Sequence, residues 1–234
     1  MNQVIETFWI AVSFAGGIAT RLAILALAAF VVASLVSLGV LAVEGFRALR
    51  LRLSGVQHAG GLRWRQDLFF AKAHTWLKRT GGNTLQLGVD DLAQRLCVGA
   101  EEITLPTPGT KLTAGAVAAA IRTGDRVVFI ASPVTGTVLR TNRAAQKNPS
   151  MLKREPYNRG WLVALEAETV PYSELLTGES SRRWLRSEEQ RLNRFLEREL
   201  SVAAADGGEF ILPAPTLLSE TQWKALTSAF LGTA

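Results

Sequence analysis

Between Leu22 and Val43 the chain carries no charged side chain. The run LAILALAAFVVASLVSLGVLAV is dominated by Leu, Ala and Val, and about 20 such residues suffice for a helix to cross the hydrocarbon core of a bilayer. Lipid offers no partner for backbone N–H and C=O groups, so a spanning segment of this length has to be helical. A cleaved signal peptide is the competing reading, but its apolar part would be only about 7–15 residues long and would follow a basic start. Here the run is longer and the first charge is Glu6. The expectation is an uncleaved single-pass anchor within residues 1–46. Arg47, Arg50, Arg52, Arg63, Arg65, Lys72, Lys78 and Arg79 follow the run, and only Arg21 precedes it. That asymmetry places the C-terminal side in the cytoplasm. The apolar stretch Thr7–Thr20, with Phe8 and Trp9, either extends the same helix or lies at the far interface.

Residues 47–71 read as a juxtamembrane linker. Phe46, Leu49, Leu51 and Leu53 alternate with arginines, which suits either a surface-lying segment or a plain helical extension, and Gly60-Gly61 breaks it. From residue 72 to 170 short apolar runs alternate with Gly, Pro, Asn and Asp. Leu85–Val89, Glu102–Leu105, Ala116–Ile121, Arg126–Ile130, Gly136–Leu139 and Trp161–Leu165 read as strands joined by tight turns. Short helices fit Asp90–Leu96, capped by Asp90, and Pro149–Arg154. Residues 171–234 read as helical: a charged amphipathic helix over Glu179–Leu200, a Gly/Ala/Asp/Pro-rich linker over Ala203–Pro215, and a last helix capped by Ser219 with Trp223, Leu226 and Phe230 on its apolar face. The net charge of +6 belongs to the part outside the apolar run. It forms no basic run interleaved with aromatics, so nucleic acid is not an expected partner. The single cysteine, Cys97, excludes an internal disulfide.

Residues 74–168 resemble the H protein of the glycine cleavage system. His74-Thr75-Trp76 is similar to that family's opening His-x-Trp. Leu87-Gly88-Val89, Leu92-Ala93-Gln94, Gly99, Leu105-Pro106, Pro108-Gly109 and Ala114-Gly115 follow in the family's order. Ser132-Pro133-Val134-Thr135-Gly136 looks like its Ala-Pro-Val-Ser-Gly turn, and Asn142, Pro149, Leu152, Pro156-Tyr157 and Gly160-Trp161 match its tail. The resemblance implies an α+β, mainly β fold: a lipoyl/biotinyl-like two-sheet barrel-sandwich, or hammerhead, with peripheral helices. The strand count above agrees with that independently.

In the family a lysine at the tip of a projecting hairpin is acylated by lipoate, and the arm swings between enzymes. The interval from Gly115 to Gly136 aligns with the family without gaps, and the lysine position falls on Asp125, within Arg122-Thr123-Gly124-Asp125-Arg126. Gly-Asp is a comfortable turn pair, so the hairpin is expected to persist without its nucleophile. A carboxylate cannot form the amide, nor can the guanidinium groups of Arg122 and Arg126. No lysine occurs between 112 and 146; Lys111 and Lys147 lie on either side. No lipoate or other cofactor is therefore expected.

His58, His74 and Cys97 have no metal-ligand spacing. His74 reads as packing or surface recognition, Cys97 as a buried structural thiol, and Glu101-Glu102 as a turn charge. No phosphate-binding glycine loop, nucleophile elbow or zinc motif is present. The expected function is a non-catalytic, membrane-held docking or scaffold subunit of a protein complex. Its partners would be the lipid bilayer and a protein, met through a surface of His74, Arg122, Asp125, Arg126, Tyr157 and Trp161. The alternative is a lipoylated carrier of aminomethyl or sulfur groups, modified at Lys111 or Lys147.

Overall fold

The structure, a computed structural model, describes residues 9, 17, 20–21, 25, 27–45, 55–200 and 215–232. The expectations for Thr7–Thr20, for Phe46–Leu53 with its arginines and for the linker from Ala203 fall largely outside these residues. The chain divides into two compact units, Met1–Ser54 and Gly55–Ala234. The first contains helix α1, Leu27–Gly45, whose 19 residues and mean hydropathy of 2.3 make it long and apolar enough to cross a membrane.

The second unit opens with strands β1, Val56–Ala59, and β2, Leu62–Arg65. Residues 56–65 are therefore not linker. They form an antiparallel hairpin in which Ala59 pairs with Leu62 and the expected break, Gly60-Gly61, is the turn. Leu62 and Trp64 point into the core between Arg63 and Arg65. That alternation is the signature of a half-buried strand.

Next come β3, Phe69–Ala71; β4, Thr75–Gly81; β5, Thr84–Val89; α2, Asp91–Leu96; β6, Glu102–Thr104; β7, Lys111–Leu112; β8, Val117–Thr123; and β9, Arg126–Ala131. They are followed by β10, Thr135–Thr141; α3, Arg143–Lys147; α4, Ser150–Arg154; β11, Trp161–Thr169; α5, Gly178–Leu200; a 3-10 turn, Pro215–Leu217; and α6, Glu220–Leu231. A six-stranded antiparallel sheet runs β3-β4-β5-β11-β10-β7, and a three-stranded sheet runs β6-β8-β9. Every expected strand between 85 and 165 is present, with ends shifted by up to four residues. The mainly β fold with peripheral helices is the architecture expected, with the β1–β2 hairpin as a third sheet beyond the two anticipated.

One close approach seats the core. An added Cβ on Gly88 would collide with Cζ2 of Trp76, whose indole N–H donates to the Val89 carbonyl at 2.9 Å. Glycine at 88 lets a fully buried tryptophan lie flat against the neighbouring strand. Asp90 caps α2 as expected, accepting from the backbone N–H groups of Leu92 and Ala93. Pro149 stands at the N-cap of α4, one position before the first turn. Leu185, Leu192 and Leu196 form the buried stripe of α5, while Phe195 is half-buried. Ser219 and Gln222 form a capping box at the start of α6.

Candidate functional site

Strands β8 and β9 pair from Val117↔Ala131 to Thr123↔Arg126, which leaves Gly124-Asp125 as a two-residue tip. Gly124 adopts φ +57°, while Asp125 does not enter the left-handed region. Glycine-first turns of this kind match the twist of the strands they join. The Asp125 side chain is 77% exposed. Arg122 donates to Glu101 at 2.7 Å and to Glu102 at 3.1 Å, so the carboxylate pair without a visible partner in the sequence has one across β6 and β8. Along the outer face of the hairpin Val117, Val127 and Phe129 are exposed.

Arg126 turns the other way. Its Nη2 donates to the Leu218 carbonyl at 2.9 Å, and its Nη1 to Glu220 Oε2 at 3.4 Å. An added Cβ on Gly124 would come within 3.1 Å of Thr216 Cγ2. The C-terminal segment thus lies against the inner side of the hairpin tip.

His74 is fully buried at φ +56°, a left-handed backbone that histidine tolerates better than most residues. Nδ1 lies 2.7 Å from Asp90 Oδ2 and Nε2 lies 3.3 Å from Glu188 Oε2. The ring stacks on Trp184 with centroids 4.9 Å apart and an interplanar angle of 25°. Burial alone would push the imidazolium pKa down; the two carboxylates outweigh it and raise it to about 9. His74 is thus a cation at neutral pH and donates from both nitrogens. Burial would raise the Glu188 pKa, but bonding to His74 and Arg191 holds it below its ordinary range.

Tyr157 is equally buried. Its hydroxyl donates to the Arg63 carbonyl at 2.6 Å and accepts from the Asp91 N–H at 2.9 Å. Burial, reinforced by the charges of Asp90 and Asp91, pushes its pKa well up. Trp161 is half-buried, with the Arg140 guanidinium 5.7 Å above its ring. The six residues expected to form one surface therefore separate. Arg122, Asp125 and Arg126 share the hairpin, whereas His74 and Tyr157 lie inside the core and offer a partner nothing.

A second ionic cluster has only the i, i+4 spacing of Asp91 and Arg95 as a sequence signal. The fully buried Asp91 carboxylate is held by Arg63 Nε at 2.7 Å, Arg95 Nη2 at 3.1 Å and the Arg63 N–H at 3.0 Å. It ties the β1–β2 hairpin to α2. Cys97 is buried, which pushes its thiol up to about 12 and removes it as a nucleophile. Lys111 lies on β7 in the six-stranded sheet, 2.8 Å from Glu168, and Lys147 ends α3. Neither belongs to the β8–β9 turn. An open cavity of about 650 Å³ is lined by Lys72, Gly115, Ser132, Pro133, Glu174 and Leu176, among others. Among the described residues, no three His, Cys, Asp or Glu side chains are grouped to hold a metal ion.

The two packed sheets and the projecting two-residue hairpin define the class: a small β-module of the lipoyl-domain type. The profile described as Glycine cleavage H-protein matches residues 68–188, just over half the chain, and the chain belongs to that family. It is 34% identical over 104 residues to a glycine cleavage system H protein of Mycobacteroides abscessus, covering 44% of this chain and 79% of that one. With the protein of the same name from Xylella fastidiosa strain M12 it is 34% identical over 124 residues, covering 53% and 95%. The crystal structure of a glycine cleavage system H protein from Mycobacterium marinum aligns with a TM-score of 0.47 at 21% identity, over 53% of this chain and 99% of that one. The two tip residues, Gly124 and Asp125, carry no amine.

Proposed function

We propose that this protein is a membrane-held, non-lipoylated H-protein-like module that docks a protein partner within a membrane-associated complex. The observation that carries the reading is the hairpin tip: Gly124-Asp125 occupies the turn and no lysine lies between 112 and 146. The exposed strip of Val117, Val127 and Phe129, beside the charges of Arg122 and Asp125, is the face offered to the partner. In this reading α1 is an uncleaved single-pass anchor and the arginine-rich side faces the cytoplasm. A docking module gains from being fixed in place, whereas a swinging-arm shuttle gains from diffusing between enzymes.

Intact-mass measurement of the chain purified from its native membranes tests the central point. The expected mass is that of the unmodified polypeptide; a stoichiometric lipoyl adduct overturns the reading. Protease protection of the second unit in sealed inside-out vesicles is the outcome that would overturn the orientation.

The family match itself favours one second reading, a lipoylated carrier of aminomethyl or sulfur groups. It requires modification at Lys111 or Lys147. A lipoyl signal that survives Lys111→Arg with Lys147→Arg would remove that route.

A further inference from the structure

In the second unit the β1–β2 hairpin stands before the family-matched span of 68–188, and the 3-10 turn and α6 stand after it. The first is anchored by charge and backbone, through Asp91, through Arg95 Nη2 donating to the Gly61 carbonyl at 2.6 Å, and through the Gly61 N–H donating to Glu189 at 2.9 Å. The second is held differently. No backbone–backbone hydrogen bond among the described residues joins Pro215–Gly232 to the rest of the unit. Its polar ties include the Arg126 contacts to Leu218 and Glu220, and Gln222 Nε2 donating to the Glu199 carbonyl at 3.3 Å. Side-chain packing seats it: Trp223, Leu226, Phe230 and Leu231 are buried. The Phe230 ring stands edge-on to Phe195 at 5.8 Å, lies 6.3 Å from His74 and has the Arg191 guanidinium 4.3 Å from its centroid.

We propose that Pro215–Leu231 is a detachable cap, a self-docked amphipathic helix that fills the groove between the β8–β9 tip and α5. It yields that groove to a competing amphipathic helix of the same pattern. The pattern is read from α6 itself: apolar anchors at Trp223, Leu226 and Phe230, spaced i, i+3 and i+7, with an acid at the N-terminus to meet Arg126. Opposite charge at that end fixes the direction in which a helix can lie. A 12-residue helix is marginal on its own, so the cap is helical because it is seated. Released, it uncovers the inner side of the hairpin tip around Gly124 and Arg126. This consequence rests on the docking reading above; the detachment itself does not.

Hydrogen exchange on the full chain in detergent micelles tests detachment first. The α6 amides are expected to exchange roughly tenfold or more faster than those of β5 and β11, because a cap opens without global unfolding. Arg126→Ala is expected to speed exchange in 220–231 and at the hairpin tip together and leave β5 and β11 unchanged. Equal protection of α6 and the central strands in the unsubstituted chain overturns the proposal. The groove is then probed with a labelled synthetic peptide of residues 215–232. A full chain carrying Leu226→Asp and Phe230→Asp, with its own cap unseated, is expected to bind this peptide at least about tenfold more tightly than the unsubstituted chain, the cis segment being the competitor. No difference between the two, or loss of β5 and β11 protection in the variant, makes α6 an integral part of the core and overturns the proposal. A lipoyl adduct in the mass measurement would sink the docking reading and leave these results standing.

Discussion

Asp90 holds His74 with one carboxylate oxygen and α2 with the other: Oδ2 lies 2.7 Å from Nδ1 of His74, while Oδ1 accepts from the N–H groups of Leu92 and Ala93. Asp90 thereby ties the β4 entry to the start of α2, and through His74 it reaches Glu188 and Trp184 on α5. The buried imidazolium sits at the junction of the β-domain and its C-terminal helices.

This junction makes stability depend on pH with a definite sign. The His74 pKa is raised from 6.5 unfolded to about 9 folded. Its contribution is fully present below about pH 6.5 and is lost as pH rises through 9. The Glu188 pKa is lowered, so its contribution is present above its unfolded value of 4.5 and is lost as pH falls through the lowered one. Thermal unfolding of the detergent-solubilised chain is expected to show a falling Tm between pH 7 and 9.5. His74→Asn, which suits the left-handed backbone but does not titrate, should flatten that slope. It should also cost on the order of 3 kcal/mol at pH 6.

The Asp91 cluster should respond asymmetrically to substitution. Removing the carboxylate with Asp91→Ala strands the Arg63 and Arg95 guanidinium groups around a fully buried position, and breaking such a pair costs about 3–5 kcal/mol. Tyr157→Phe removes one donor to the Arg63 carbonyl and one acceptor from the Asp91 N–H, a loss of about 1–3 kcal/mol. Urea titrations of the three proteins should rank them in that order. Equal stability of Asp91→Ala and the unsubstituted chain would contradict the cluster.

Gly88→Ala is expected to cost about 1–3 kcal/mol through overpacking. The new Cβ would press on Trp76, whose indole is pinned by its bond to the Val89 carbonyl and cannot swing away. The same unfolding measurement checks it, and the buried Trp76 should report the change as a shift in tryptophan fluorescence.

What the sequence made legible was local. The strands between Leu85 and Leu165 carry their own alternation and turn residues, and the caps Asp90 and Ser219 sit next to the helices they start. The β1–β2 hairpin was obscured because β1 is mostly polar outward, with Gln57 and His58 exposed, and the outward positions of β2 are arginines continuous with the charges that follow the apolar run. Strand β4 was obscured because its buried Trp76-Leu77 runs directly into exposed, charged Lys78-Arg79. The ionic sites were not legible for a different reason. Glu188 lies 114 positions from His74, and Asp91 lies 28 from Arg63; no local spacing records such pairings. The hairpin tip was readable because a two-residue turn announces itself in two adjacent residues, whereas the segment packed against it comes from the other end of the chain.

Asp125→Lys tests the hairpin's geometry and its cap together. The side chain is 77% exposed and its nearest cation, Arg126 Nε, is 3.8 Å away, so the substitution should change stability by no more than about 0.5 kcal/mol. It places a primary amine at the tip, the one group the turn lacks for amide formation with a lipoyl carboxyl. Incubated with a lipoate ligase, the unsubstituted chain should remain unmodified and the Asp125→Lys chain should gain an adduct by intact mass. Thr216 and Leu218 lie against one side of the tip, where they would obstruct an approaching ligase. Modification should therefore be slow in the Asp125→Lys chain and several-fold faster when Leu226→Asp and Phe230→Asp unseat α6. Equal rates with and without the cap would mean that the C-terminal segment leaves the tip open. No adduct in either would mean that the turn no longer presents a side chain in the way a carrier does.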